Sequence, residues 1–279
     1  MNLINIPKKV PKGVVHSTFR STLMNADVGY NIYLPPDYNE SEQSYPVMYF
    51  LHGSGGDESS DIWVAGHLHN YLTNTDEKEI APMLIVFPNG MRNSGYNDYY
   101  PGSTSNSPAE SVIINELLPH IDDTYRTLAS RENRVIEGFS MGGAGALFLV
   151  AKHPDLFCSV VSYAGGFWDW DDLVKNSSEE VPKRFNNDPE KRAPYTAHYW
   201  CATNADKIRA DIKIKMGVGK KDFWHEYNIK MHKYLDSLEI PHKYDALDDI
   251  DHDIGLMYDI MGKEGLCFHS KNIQKSNHT

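Results

Sequence analysis

The sequence predicts an α/β fold: a mainly parallel central sheet with helices on both faces. Three observations carry this. Short runs that are apolar at every position, such as Val47-Met48-Tyr49-Phe50-Leu51, fit strands buried on both sides of a parallel sheet. Stretches with apolar residues at helical spacing alternate with those runs, the pattern of parallel strands joined by crossover helices. Finally, 279 residues with 41% hydrophobic side chains suffice for a sizeable core and speak against disorder. No repeat, low-complexity tract or Pro/Gly/Ser linker divides the chain, so a single domain over 1–279 is expected.

Val14 to Met24 and Tyr30 to Leu34 read as the first two strands, closed by the turn Pro35-Pro36-Asp37-Tyr38. Val47 to Leu51 is the third, ending at the glycine-rich His52-Gly53-Ser54-Gly55-Gly56, and Met83 to Phe87 the fourth, ending at Pro88-Asn89-Gly90. Helical spacing of Val112, Ile113, Leu117, Leu118 and Ile121 predicts a helix from Pro108 to Tyr125. Arg134 to Glu137 gives the fifth strand, followed by a helix to His153 and a sixth strand over Phe157 to Tyr163. Residues 167–209, rich in Asp, Trp, Asn and Pro, interrupt the alternation and read as an insertion over the sheet edge. The alternation resumes with a strand at Ile212 to Val218, a helix from Phe223 to Leu238, a strand near Lys243 to Leu247 and a helix near Ile254 to Met261. Ser270 to Thr279 reads as a frayed polar tail.

Bulk properties narrow the function. A net charge of −11 without a Lys/Arg cluster excludes nucleic-acid and anionic-membrane partners as the expected ligands, and no apolar run approaches membrane-spanning length. Three cysteines (Cys158, Cys201 and Cys267) make no disulfide framework. The N-terminus lacks the apolar core of a signal peptide, so the chain as written reads as cytoplasmic, with secretion after signal removal as the alternative.

The chemistry centres on Gly138-Phe139-Ser140-Met141-Gly142, a G-x-S-x-G pattern between a strand and a helix. Such a turn strains the serine backbone and lifts its hydroxyl above the sheet edge, and the flanking glycines leave room for the bend. A serine nucleophile needs a base within hydrogen-bond reach and a carboxylate to orient that base. Strand order selects them. Asp222 follows the seventh strand on its carboxyl side, whereas Asp211 lies at the other end of that strand; His252 follows the eighth, whereas His242 precedes it. The order Ser140, Asp222, His252 is the one expected of α/β-hydrolases. For Asp222 a helix N-cap is the plain structural alternative. The amides of Ser54 and Met141 are the candidate oxyanion donors, with His52 a structural hydrogen-bonder.

The acidic run Asp245, Asp248, Asp249, Asp251 and Asp253 lacks the glycine and glutamate of an EF-hand loop, Ile254 and Ile260 standing there instead, so an acidic surface loop is expected. No metal or organic cofactor is expected. Trp168, Trp170 and Trp224 are candidates to stack on an aromatic or sugar ring, as are Tyr99 and Tyr100; simple packing is the alternative for all five.

These residues give the chain a resemblance to the esterase D-like branch of the α/β-hydrolases, which includes feruloyl and acetyl-xylan esterases and mycobacterial mycolyltransferases. It covers residues 14–262 and rests on Tyr30-Asn31-Ile32-Tyr33-Leu34-Pro35-Pro36-Asp37-Tyr38, Tyr45 to Gly53, Glu116-Leu117-Leu118-Pro119, Gly138 to Gly143 and His153-Pro154-Asp155-Leu156-Phe157. The resemblance implies an α/β-hydrolase fold with Ser140 as nucleophile, Asp222 as acid, His252 as base, and Met141 and Ser54 as oxyanion amides. It further implies a small-molecule or oligosaccharide ester substrate, feruloyl or acetyl esters of carbohydrates above others. Where S-formylglutathione hydrolases carry Leu-Thr-Cys after the His-Gly pair, this chain has Ser54-Gly55-Gly56, which is similar to the carbohydrate-linked ester hydrolases. An acyltransferase on the same triad and a non-catalytic carbohydrate-binding relic are the rival expectations.

Overall fold

The computed structural model describes residues 2–74, 79–98 and 107–273. Among the described residues, eight strands form one sheet in the order β1-β2-β4-β3-β5-β6-β7-β8. They are β1 (Val14–Ser21), β2 (Ala26–Tyr33), β3 (Val47–Leu51), β4 (Leu84–Pro88), β5 (Arg134–Phe139), β6 (Ser159–Tyr163), β7 (Lys213–Gly219) and β8 (His242–Leu247). Only β2 runs against its neighbours; from β4 across to β8 every pairing is parallel. The first hairpin departs from expectation: β1 stops at Ser21 and β2 starts at Ala26, not Tyr30. Asn25 adopts φ 49° and donates its amide to the Thr22 carbonyl at 3.2 Å, so the turn falls where asparagine tolerates the left-handed region.

The sheet is buried on both faces, as its apolar runs require. Within β3, Val47, Tyr49 and Leu51 join one core cluster while Met48 and Phe50 join the other. Each such side chain contributes about 1.5–3 kcal/mol on burial. One face is covered by α1 (Val64–Thr73), through Val64, Ala65 and Leu68, in a stretch to which the sequence assigned no element. The opposite face is covered by α2 (109–124) and α3 (Met141–Lys152). Within α2 the stretch Val112–Leu117 is π-helical, with the Leu118 amide reaching back to the Ile113 carbonyl, just before Pro119 removes a donor from the ladder.

The insertion after β6 is helical. It contains α4 (Trp170–Asn176), the short turns Glu180–Lys183 and Pro189–Arg192, α5 (Ala197–Thr203) and α6 (Ala205–Asp211), which runs into β7. Asp169 caps α4 by accepting the Asp172 amide at 2.8 Å, and Thr196 caps α5. Then α7 (His225–Ser237) packs Met231 and Leu235 onto the α3 side, and Lys230 of α7 pairs with Asp172 to tie the insertion down. The last helix, α8 (Ile254–Asn272), overruns its expected end at Met261 by eleven residues. It lies on the α1 side, and Ser270, read as the start of a frayed tail, is buried and accepts the Ala81 amide at 2.9 Å. Among the described residues no helix is long and apolar enough to cross a membrane.

Candidate active site

Ser140 sits between β5 and α3 at φ 57°, ψ −116°. A non-glycine residue held there costs about 1–3 kcal/mol, so the surroundings must fix it. The Ser140 amide donates to the Tyr163 carbonyl at 2.9 Å, and its carbonyl accepts from Ala144 and Gly166. Crowding dictates the two glycines of the motif. A Cβ on Gly138 would stand 2.3 Å from the Gly142 carbonyl oxygen, and one on Gly142 would stand 2.0 Å from that of Leu51. The pattern G-x-S-x-G is therefore the residue requirement of a helix start pressed against the end of β3.

Parallel strands bring the other two groups to the same edge. Asp222 follows β7, and His252 lies in the loop between β8 and α8. Nε2 of His252 is 3.0 Å from Ser140 Oγ, and Nδ1 is 2.8 Å from Asp222 Oδ2. The other Asp222 oxygen accepts the Trp224 amide at 2.7 Å, and the side chain is fully buried. As α7 begins only at His225, that bond closes the turn before the helix, so the N-cap alternative does not hold. The imidazole lies between two rings, Phe139 on one side and Phe223 on the other, each with its centroid 4.4 Å away. Neither phenylalanine was singled out from sequence, since a flat aromatic flank leaves no pattern beyond an apolar residue beside a motif.

The glycine-rich loop after β3 is pinned from beneath. Nδ1 of His52 is 2.8 Å from the Gly53 carbonyl and so carries the proton, while Nε2 accepts the Gly90 amide at 3.0 Å. Burial lowers the His52 pKa, which keeps the ring in this neutral form. From above, Asn93 accepts from the Ser54 hydroxyl at 2.7 Å and from the Gly55 amide at 2.9 Å, and Arg92 donates to the Gly55 carbonyl. Asn93 and Arg92 follow Pro88-Asn89-Gly90, which the sequence marks only as the end of a strand. Gly53 lies close beside the serine: a Cβ there would stand 3.6 Å from Ser140 Cβ.

A cavity of about 300 Å³ opens on Ser140, with Ser54 and Met141 in its wall. The insertion supplies Phe167 and Trp168, and the loop after β7 supplies Trp224. The two indoles pack edge to face at 5.3 Å, and both Nε1 atoms are buried without a hydrogen-bond partner among the described residues. Trp170 is not part of this wall. It opens α4 and faces a separate hollow lined by Tyr199 and Tyr234, because the chain turns away at the Asp169 cap. His198, from α5, also borders the cavity, and burial pushes its pKa down to about 4. Tyr99 and Tyr100 lie outside the described residues.

The acidic run is a surface loop whose charges are largely matched. Asp248 pairs with Lys220 at 2.6 Å, Asp249 with Lys221 at 2.8 Å, and Asp245 with the buried Lys215, while Asp253 caps α8.

Comparison with known proteins agrees with this architecture. The family profile described as "Putative esterase" matches residues 21–235. An esterase of Mycobacterium tuberculosis is 33% identical over 147 residues, which are 53% of this chain and 31% of that protein. An endo-1,4-beta-xylanase/feruloyl esterase of Xylanibacter ruminicola is 33% identical over 147 residues, 50% of this chain and 18% of that one. The chain thus spans less than a third of the length of these relatives. Among solved structures, a ferulic acid esterase superposes with a TM-score of 0.75 at 23% identity, covering 95% of this chain and all of its own. An S-formylglutathione hydrolase of Agrobacterium tumefaciens gives 0.77 at 17% identity, covering 98% and 100%. These two likenesses establish the α/β-hydrolase fold.

Proposed function

The chain belongs to the esterase family, and on that premise we propose that it is a serine carboxylic-ester hydrolase working through an acyl-enzyme on Ser140. The observation that supports this above all is the continuous chain Ser140 Oγ, His252, Asp222 at 3.0 and 2.8 Å. His252 Nε2 takes the Ser140 proton as Oγ attacks the ester carbonyl. Asp222 holds the ring proton on Nδ1 and balances the charge that the imidazole gains. The carbonyl oxygen becomes an oxyanion, received by the amides of Met141, the first residue of α3, and Ser54. One such donor is typically worth about 3 kcal/mol in the transition state. His252 then returns the proton to the leaving alcohol, and water attacks the acyl-enzyme by the same steps in reverse.

The substrate reading follows from the wall of the cavity. Its volume of about 300 Å³ lies at the small end of ligand pockets, which suits one aryl or short acyl group and not a long chain. Trp168, Phe167 and Trp224 offer aromatic surface to such a ring. We therefore assign feruloyl esters of carbohydrates ahead of acetyl esters. Turnover of matched acetyl, butyryl, feruloyl and coumaroyl esters, with Ser140→Ala as control, tests both parts. The serine assignment predicts loss of turnover and of phosphonate labelling in that variant; labelling that persists would overturn it. Trp168→Ala and Trp224→Ala are expected to raise KM for feruloyl esters about tenfold while sparing acetyl esters, with Trp170→Ala changing neither. Equal effects on both ester classes would return the indoles to a packing role.

A further inference from the structure

At the opposite end of the sheet from Ser140, three side chains converge that the esterase reaction does not use. His232 and Asp236 stand one turn apart on α7, and His242 opens β8. Nδ1 of His232 lies 2.7 Å from Nε2 of His242. Asp236 completes the group, with Oδ1 3.9 Å from His242 Nε2 and Oδ2 3.6 Å from His232 Nε2. One ligand atom from each of the three falls within 4.8 Å of the others. In register, His242 pairs with Ile214, five residues before Gly219, at the strand end remote from Asp222 and about 17 Å from the catalytic edge.

The hydrogen bonds around this group prepare it for a metal. Nδ1 of His242 is 2.7 Å from the Ile240 carbonyl, an acceptor only, so that nitrogen carries the proton and Nε2 presents its lone pair to His232. A ligating histidine held by a backbone carbonyl through its other nitrogen is the usual outer support of a metal site. The His232 ring lies flat on Tyr244 at 4.5 Å and 5°, a stack along which it can slide. The His242 side chain is only 2% exposed, whereas His232 is one-third and Asp236 three-fifths exposed, so an ion can enter from solvent. Two nitrogens and one carboxylate oxygen, with the fourth position open to water, form the donor set of a tetrahedral zinc site.

We propose that His232, Asp236 and His242 bind a divalent d-block cation, with Zn²⁺ as the reference ion, and that this ion clamps α7 to β8. Zinc–nitrogen distances of about 2.0–2.1 Å place two tetrahedral nitrogens about 3.3 Å apart. The rings therefore separate by about 0.6 Å from their present 2.7 Å, a shift open to His232 on the helix surface. The proton they share moves to His232 Nε2, beside Asp236 Oδ2, or to solvent. The site ties together the two elements that bracket the acid and base loops: Asp222 precedes α7 and His252 follows β8. Its role is to hold the fold, and esterase turnover does not pass through it.

The test is Zn²⁺ titration of the untagged protein by calorimetry, together with thermal melting in the presence of Zn²⁺ or of EDTA. One equivalent is expected to bind, and Tm to rise by about 5 °C at a hundredfold excess over Kd. Asp236→Asn changes an exposed group and His232→Gln a half-buried one, and melting of each variant in EDTA establishes that it folds without metal. Each is expected to weaken binding by about 100-fold or more, past the range of second-shell losses, and to cancel the Tm rise. His252→Gln, which removes the competing imidazole of the active site, is expected to bind zinc as the native chain does. Binding that survives in His232→Gln, binding lost in His252→Gln, or no saturable binding at all overturns the proposal. None of these outcomes bears on Ser140.

Discussion

Replacing Asp222 by asparagine preserves the size of the side chain and inverts the hydrogen-bond logic of the site. One Asp222 oxygen accepts the Trp224 amide at 2.7 Å, and the other faces Nδ1 of His252 at 2.8 Å. The Trp224 N–H can only donate, so asparagine must turn its carbonyl oxygen there and present its NH₂ to the imidazole. Nδ1 then has to accept, which moves the ring proton to Nε2, the nitrogen 3.0 Å from Ser140 Oγ. An Nε2 that already holds a proton cannot take one from the serine. The expected loss is about 10⁴-fold in kcat, or about 5 kcal/mol of transition-state stabilisation. KM should change little, because Asp222 lies behind the histidine and away from the cavity. Steady-state hydrolysis of a chromogenic aryl ester, with circular dichroism melting to establish that the variant folds, measures both quantities. A folded Asp222→Asn protein whose kcat stays within about tenfold of the native value would refute the tautomer argument, as would a loss confined to KM.

Two further outcomes concern stability. Ser140→Gly removes the Cβ from a residue at φ 57°, whereas Ser140→Ala keeps it; both are inactive, and the glycine variant should be the more stable by about 1 kcal/mol, or about 2 °C in Tm. Equal melting would show that the turn is not strained. His198 is neutral in the folded chain because burial pushes its pKa to about 4, against an ordinary 6.5, with Arg192 and Lys230 lowering it and Asp169 and Asp172 opposing them. Between those two values the unfolded chain binds the extra proton, so stability falls as pH drops through that window, by up to about 3 kcal/mol. Melting curves from pH 7 to 4 should flatten in His198→Asn; parallel curves for the two proteins would exclude His198 as the source.

Much of this architecture is legible in the sequence because it is written in local patterns. A strand buried on both faces admits apolar residues at every position, and Val47 to Leu51 shows that without reference to any other segment. The nucleophile turn is equally local, since each glycine answers a contact within the turn or with the adjoining strand end. Asp222 and His252 follow from chain order, because parallel strands deliver the residues after them to one edge. The insertion is another matter. Its helices are short and capped by Asp169, Asp188 and Thr196, so no long apolar period marks them. Whether a tryptophan there meets the cavity depends on where a cap turns the chain, which is why Trp168 lines it and Trp170, two residues on, does not. The pair His232 and His242 went unread for a similar reason. The i, i+4 spacing of His232 and Asp236 is visible, but the third ligand comes from another element, and only the packing of α7 beside β8 brings it close.

The spacing of Asp222 and His252 is set by backbone more than by side chains. The Lys220 amide donates to the Leu247 carbonyl at 2.8 Å and the Lys221 amide to the Ile250 carbonyl at 3.0 Å, lacing the loop before Asp222 to the loop before His252. Gly219 permits that approach, since a Cβ there would stand 2.1 Å from the Ile250 oxygen. With the two loops held at this spacing, the 2.8 Å contact between Asp222 and His252 needs only the right pair of side chains at its ends. The exposed ion pairs on the same loops, Lys220 with Asp248 and Lys221 with Asp249, add little, because exposed pairs contribute about 0–1 kcal/mol. Charge in this loop is therefore free to vary, while the glycine at 219 and the register of β7 against β8 are not. The strand that leads to His252 at one end carries His242 at the other: register against β7 sets Asp222 against His252, and the packing of α7 on β8 sets His232 against His242.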